Sequence, residues 1–274
     1  MNVSFPYKRT LIASALALSA VHIHAAGFQL NAQSATGLGR AFAGDAAIGD
    51  NASVIARNPA AMSLFDRPAL SVGFETISTD IEVKNGSYTN NLTASSADAN
   101  SDSIGDTSIA PNFYYIRPVN EKFAWGVNAY SNFGTTTEFE DSYAGYEYGG
   151  KTDVVSANFG LVGSYKATEQ LTLGAGIDAV YGKGTFVRPA NPVVAANFGT
   201  ANLLEIEADG WGVGYNLGLM FEVDENNRFG FDYHFSPDIE ADGDVYRFGA
   251  TAAKQSDTVT MPLPDIAEFS GYHR

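Results

Sequence analysis

Few residues in this chain are of types that do chemistry at a useful spacing. It has no cysteine, which removes thiol nucleophiles, disulfides and cysteine-based metal sites. Of its four histidines only His234 and His273 lie beyond the first 25 residues, and neither stands in a Ser/His/Asp arrangement. Residues 145–152, "GYEYGGKT", spell the phosphate-loop pattern, and "GAGIDA" at 174–179 imitates a dinucleotide fingerprint. Both patterns need a helix to follow, so that backbone amides converge on phosphate. Strand-patterned text follows instead ("TDVVSANFGLVG"), and no enzyme, cofactor or metal is expected. Arg188, in "GTFVRPANP", is of a different kind. A guanidinium offers two parallel donors to the two oxygens of a carboxylate. On the residues alone it reads as a rim arginine paired with a loop acid.

The elements around these residues are strands. The chain has 274 residues, 45% of them hydrophobic, and its longest apolar run, "LIASALALSAV" at 11–21, is too short to span a bilayer as a helix. With Lys8 and Arg9 before it and "HIHAA" after, that run reads as an export signal cleaved after Ala25. A formal net charge of −15 argues against a nucleic-acid partner. From Pro68 onward the text alternates with period two. Val155, Ala157, Phe159 and Leu161 oppose Ser156, Asn158 and Gly160; Trp211, Val213, Tyr215 and Leu217 oppose Gly212, Gly214 and Asn216. One face is bulky and apolar, the other glycine or polar.

Eight strands are predicted near 68–84, 105–117, 122–139, 152–166, 170–187, 208–222, 228–244 and 257–272. Tight turns ("RPVNEK", "KATEQ", "EVDENNR") alternate with long stretches at 85–104, 140–151, 188–207 and 245–256, and aromatics cluster near strand ends. Short turns at one end, long loops at the other and aromatic girdles describe an outer-membrane barrel. Ahead of it, "GRAFAGDAAIGDNASVIARNPAAMSLFDRP" has no period of two. It reads either as a compact plug inside the bore or as a periplasmic tail. Asn132-Phe133-Gly134 breaks the third strand, where an interior glycine marks a bulge or kink, or serves sterics alone.

"AGFQLNAQSATGLGRAFAG" followed by "RNPAAMSLFDRPALSVG" resembles the mature N-terminus of the FadL-type long-chain fatty-acid transporter family (OMPP1/FadL/TodX). "WGVNAYSNFGTTTEF", "LGAGIDAVYGKGTFVR", "WGVGYNLGLMFEVDENNRFGFDY" and "LPDIAEFSGY" continue the likeness across residues 26–272. The resemblance implies an antiparallel all-β transmembrane barrel of fourteen strands, about eight of them within this chain, plugged by a small helical hatch. The expected division is a signal peptide at 1–25, a hatch at 26–67 and a partial barrel at 68–274, in a chain expected to be a fragment or truncated product.

Several roles follow from the resemblance alone. Arg188 would hold the carboxylate of a long-chain fatty acid or similar hydrophobic molecule, with a second basic partner beyond residue 274. Phe28 would reach the ligand from the hatch tip. Asn132, Phe133 and Gly134 would kink inward to open the wall sideways, and Asn58-Pro59-Ala60 would be the family's hatch turn. The apolar loop at 188–207 would offer an outer landing groove. Implied partners are outer-membrane lipid, lipopolysaccharide and the barrel-assembly machinery. The rival readings are uptake of aromatic hydrocarbons, a general porin or adhesin, an outer-membrane hydrolase and a soluble exported β-protein.

Overall fold

The computed structural model describes residues 29–274 except 32, 91–93, 146 and 251–252. The leader and Phe28 lie outside the described residues. The protein is one curled antiparallel meander. Its strands are β1 (Ala69–Ser78), the small loop hairpin β2 (Ser87–Asn90) and β3 (Ser95–Asp98), β4 (Thr107–Pro118), β5 (Phe123–Tyr130), β6 (Gly134–Glu138), β7 (Lys151–Lys166), β8 (Leu171–Pro189), β9 (Asn202–Asp224), β10 (Asn227–Phe235), β11 (Asp238–Arg247), β12 (Gln255–Pro262) and β13 (Ile266–His273). Among the described residues the order is β1-β4-β5-β7-β8-β9-β10-β13, with β6 also on β7, β11 on β9 and β12 on β11.

Eight chain crossings result, as the alternation predicts, but three of them are broken. The third is β5 plus β6, the seventh β10 plus β11, and the eighth β12 plus β13. The continuous strands read over 228–244 and 257–272 are each interrupted at a proline, Pro237 and Pro264, which has no N–H for a ladder. The first strand ends at Ser78, short of residue 84. The loop read at 188–207 is shorter than the sequence suggests: β8 runs to Pro189, the helix Pro192–Phe198 fills the gap, and β9 begins at Asn202. In the first long loop, Tyr88 donates to Glu147 Oε1 at 2.6 Å; burial and that carboxylate push its phenol up to about 12.

Strand parity sorts the two faces. The register places Trp125, Gly163, Ala175 and Leu217 on one outward row and Val127, Leu161, Ile177 and Tyr215 on the next. Trp211, Val213, Tyr215 and Leu217 are more than half exposed, while their inward neighbours Gly214, Asn216 and Gly218 are buried. Bulky apolar residues thus cover the outside, as lipid requires. Inside, a polar ladder crosses four strands. Asn158 Nδ2 donates to Asn128 Oδ1 (3.3 Å) and Asp178 Oδ1 (2.8 Å), and Asn216 Nδ2 donates to Asp178 Oδ2 (2.9 Å).

The N-terminal segment lies against this inner face. Its turns start at asparagine and serine caps. Ser34 Oγ accepts from Gly37 N–H, Asn51 Oδ1 from Ser53 N–H and Asn58 Oδ1 from Ala60 N–H, and Pro59 is preset for the first turn of its 3-10 helix. Ile55, Ala60 and Met62 bury themselves with Tyr114, Ile116, Val162 and Met220 of the wall. Glycines permit the close approach: a Cβ on Gly174 would strike Ala60 N, and one on Gly230 would strike Ala46 O.

Candidate functional site: the wall bulge and the upper bore

The third crossing carries one residue too many. β5 pairs β7 up to Tyr130↔Asn158 and β6 resumes at Gly134↔Val155, so four steps on one strand face three on the other. This is a bulge, with Asn132 and Phe133 at its apex. The leading residues of the N-terminal segment close it. Leu30 N–H donates to Asn132 O (2.7 Å), Gln29 forms an antiparallel bridge to Phe133, and Gln33 Nε2 donates to Asn132 Oδ1 (2.9 Å). On the β7 side Phe133 N–H donates to Ser156 Oγ (3.1 Å), and Ser156 N–H donates to Phe133 O (2.9 Å). The Phe133 ring turns into the bore, 1% exposed, in a cluster with Val180, Ile239 and Leu263. Gly134 keeps a negative φ. Its lack of a side chain serves Leu30, whose Cδ1 would lie 3.3 Å from a Cβ there.

Arg188 sits high on β8, sharing inward parity with Val180, Gly182 and Gly184. Eight residues separate it from Val180, about 26 Å of strand. Its guanidinium donates from Nη1 to Lys151 O and Val187 O and from Nη2 to Thr152 Oγ1, each at 2.8 Å. The loop acid expected from the residues alone is not there: no carboxylate among the described residues lies within ion-pair distance of Arg188. Neutral oxygens orient the fork and leave its charge uncompensated.

Asn58 is fully buried beneath the bore. Its Nδ2 donates to Ala46 O (2.9 Å) within its own segment and to Leu219 O (3.0 Å) on β9. Arg57 ties the body of the segment down further, 3.4 Å from Asp45 Oδ2 and 3.6 Å from Glu268 Oε2, and holds the leading end by donating to Asn31 O (2.6 Å).

A plugged, lipid-facing meander with a bulge closed from inside matches one known group. A family profile described as "Outer membrane protein transport protein (OMPP1/FadL/TodX)" covers residues 16–274. The chain belongs to this family. A long-chain fatty acid transport protein of Escherichia coli O6:H1 is 35% identical over 98% of this chain and 67% of its own length. Outer membrane protein P1 of Haemophilus influenzae is 36% identical over 98% and 66%. The crystal structure of a Pseudomonas aeruginosa FadL homologue shares the fold with a TM-score of 0.78 at 17% identity, covering 91% of this chain and 66% of that one. The chain therefore spans about two thirds of the length of these relatives. Like other members of the FadL family it is an outer-membrane protein of a Gram-negative bacterium, and not an enzyme.

The structure brings Asn132, Phe133 and Gly134 against the leading residues of the hatch segment, and places Asn58-Pro59-Ala60 at its foot rather than at the opening. Arg188 stands well above both. The phosphate-loop look-alike ends in β7 with no helix after it, and "GAGIDA" lies inside β8. Sequence reasoning missed Gln29, Leu30 and Gln33, which are polar or apolar residues of no distinctive spacing. It also missed Ile239 and Leu263, which the two strand-breaking prolines beside them could have flagged.

Proposed function

We propose that the protein carries hydrophobic molecules across the outer membrane, with long-chain fatty acids as its cargo, and releases them sideways through the bulge at Asn132-Phe133. The observation that carries this reading is the closure itself. The carbonyl freed from the β7 ladder at Asn132 is held by Leu30 N–H and the Asn132 side chain by Gln33 Nε2, both in the leading end of the hatch segment. Drawing residues 29–33 away would leave a wall gap facing the acyl chains of the membrane. Phe28, which precedes Gln29, is proposed to contact the ligand in that movement. Asn58-Pro59-Ala60 would fix the body of the hatch while the tip moves.

Arg188 supports the choice of cargo. A fixed cation with no acidic partner among the described residues, above the Val180–Phe186 stretch of glycine and apolar inward positions, suits one terminal carboxylate. About fourteen methylenes at roughly 0.8 kcal/mol each give about 11 kcal/mol of gross burial. A charge-assisted hydrogen bond nets about 1.5–3 kcal/mol. The tail would therefore supply affinity and the head orientation. The Escherichia coli relative is a long-chain fatty acid transport protein, which agrees with this choice. The exposed apolar face would meet outer-membrane lipid and lipopolysaccharide, after insertion by the barrel-assembly machinery.

The test exploits the absence of native cysteine. Gln29 and Phe133 form a bridge pair, for which Cα atoms stand about 4.5–5.5 Å apart, within disulfide reach. The double variant Gln29→Cys/Phe133→Cys should form that bond in the outer membrane. Fatty-acid uptake should stop when it is oxidised and recover on reduction. Uptake at the reduced rate by the oxidised protein would refute lateral release at this bulge.

A further inference from the structure

The wall leaves its ladder a second time. β9 pairs β10 up to Tyr215↔Phe235 and pairs β11 from Asp209↔Asp242, so six steps on β9 face seven on the seventh crossing. The seventh and eighth crossings keep register with each other through the same level. His234↔Ile266 and Asp238↔Pro262 are four steps apart on both. The two strands therefore depart from β9 together, as a ribbon. Pro237 and Pro264 cannot donate to a ladder at the fold. Asp265 pins it by accepting from Ser236 N–H and Tyr233 O–H, each at 2.9 Å. The ribbon turns into the bore, over a patch of glycine distinct from the one beneath the hatch. A Cβ on Gly182 would come within 2.6 Å of Ile239 Cδ1, and one on Gly212 within 2.7 Å of Pro237. Ile239 is thereby wholly buried and Leu263 nearly so, in the same cluster as Phe133.

We infer that this folded-in ribbon is the seat of the gate: Ile239 and Leu263, with Val180, hold the Phe133 ring, and a hydrophobic ligand opens the wall by taking that ring's place. The inference rests on the transport reading above and adds to it the residues that set the closing strength. Two bulges on separate parts of the wall, each giving up ladder hydrogen bonds where lipid offers no replacement, meet in one apolar cluster. Exchange there is close to balanced, since about two to four methylenes match the burial of one phenylalanine side chain. An acyl chain can therefore displace the ring without leaving an empty cavity, whereas a small polar solute cannot.

The experiment places a single cysteine at Gln29 and measures its labelling by a water-soluble maleimide in outer membranes, with and without Ile239→Ala. Loss of the seat should raise the labelling rate about tenfold or more. Added oleate should accelerate labelling of the parent and have little further effect on the variant. Leu263→Val, a smaller truncation that folding tolerates, should give an intermediate rise of about twofold to threefold. Heat-modifiable mobility on gels checks that each variant is folded. Unchanged labelling in both variants overturns the seat, even where the parent takes up fatty acid normally. A parent that takes up no hydrophobic ligand, yet labels faster in the variants, sinks the transport reading and leaves the seat standing.

Discussion

Replacing Asn58 by aspartate changes one atom's chemistry at the point where the hatch segment meets the wall. The side chain is fully buried and makes three contacts. Oδ1 accepts from Ala60 N–H at 2.9 Å, and Nδ2 donates to Ala46 O at 2.9 Å and to Leu219 O at 3.0 Å. Asn58→Asp keeps the shape and the cap on Ala60, but sets a carboxylate oxygen against two carbonyls. Each lost neutral bond that leaves a buried group unpaired costs about 1–3 kcal/mol, so two lost donors cost roughly 2–6 kcal/mol before any repulsion. Protonation restores one donor. The folded state thus favours the protonated acid and raises its pKa above the unfolded value of about 3.9. A raised folded pKa gives stability that is present below the unfolded value and is lost as pH rises through the folded one. The variant should be nearest to the parent at about pH 4 and weakest at neutral pH. Hydrogen exchange of the peptide spanning residues 44–64 reports this directly. At pH 7 its protection should fall about thirtyfold or more, corresponding to roughly 2 kcal/mol. Protection within twofold of the parent at pH 7, or a variant that weakens on acidification, would show that this amide does not hold the hatch.

Gly230→Ala drives a methyl into Ala46 O, a backbone atom that cannot swing aside, and should cost about 1–3 kcal/mol in thermal unfolding. Gly163→Ala, with nothing within 4 Å on the lipid face, should be within about 0.5 kcal/mol of the parent in the same melt. Arg188→Ala should weaken binding of a long-chain fatty acid about tenfold to a hundredfold, the worth of one charge-assisted hydrogen bond. It should leave an alkane of equal length nearly unaffected, as read by displacement of a fluorescent probe. Equal losses for both ligands would remove the carboxylate role.

Strand parity was legible because lipid imposes it at every second residue: Trp211, Val213 and Tyr215 had to face away from Gly212 and Gly214 whatever the loops did. The purpose of the glycines was legible only in part. Gly174, Gly218 and Gly230 make room for the hatch, as a plugged bore requires, but Gly182 and Gly212 make room for the chain's own Pro237 and Ile239. Alternation cannot separate these cases, because it records which face a residue takes and not what lies opposite. For the same reason strands seven and eight read as unbroken. Their period of two survives the fold, and the slip against β9 is a property of pairing between distant segments. Arg188 shows the converse limit. The loop read after it holds two acids, Glu205 and Glu207, and only the register reveals that Lys151 O and Thr152 Oγ1 reach its guanidinium instead.

The energetics of the two ends of the hatch segment argue that the tip, not the body, moves in the proposed gate. The body buries Ile55, Met62 and five alanines against the wall and is stitched to β9, β10 and β13 through Asn58, Arg228 and Arg57. Two large apolar side chains alone are worth about 3–6 kcal/mol on burial, before the hydrogen bonds and the alanines. The tip is held by the bonds from Leu30 N–H and Gln33 Nε2, the Gln29 bridge and the bond from Tyr114 O–H to Gln33 O, each netting about 1 kcal/mol. The charged bond from Arg57 to Asn31 O is worth about 1.5–3 kcal/mol more. A sum of about 6 kcal/mol leaves the closed state favoured by roughly ten-thousandfold, which suits a seal. About eight methylenes of ligand newly buried at roughly 0.8 kcal/mol each offset that sum. Expelling the whole hatch would add the body's burial, hydrogen bonds and ion pairs to that sum and would open an aqueous hole in the membrane. A fatty acid binding against Ile239 and Leu263 has enough free energy for the first event and too little for the second.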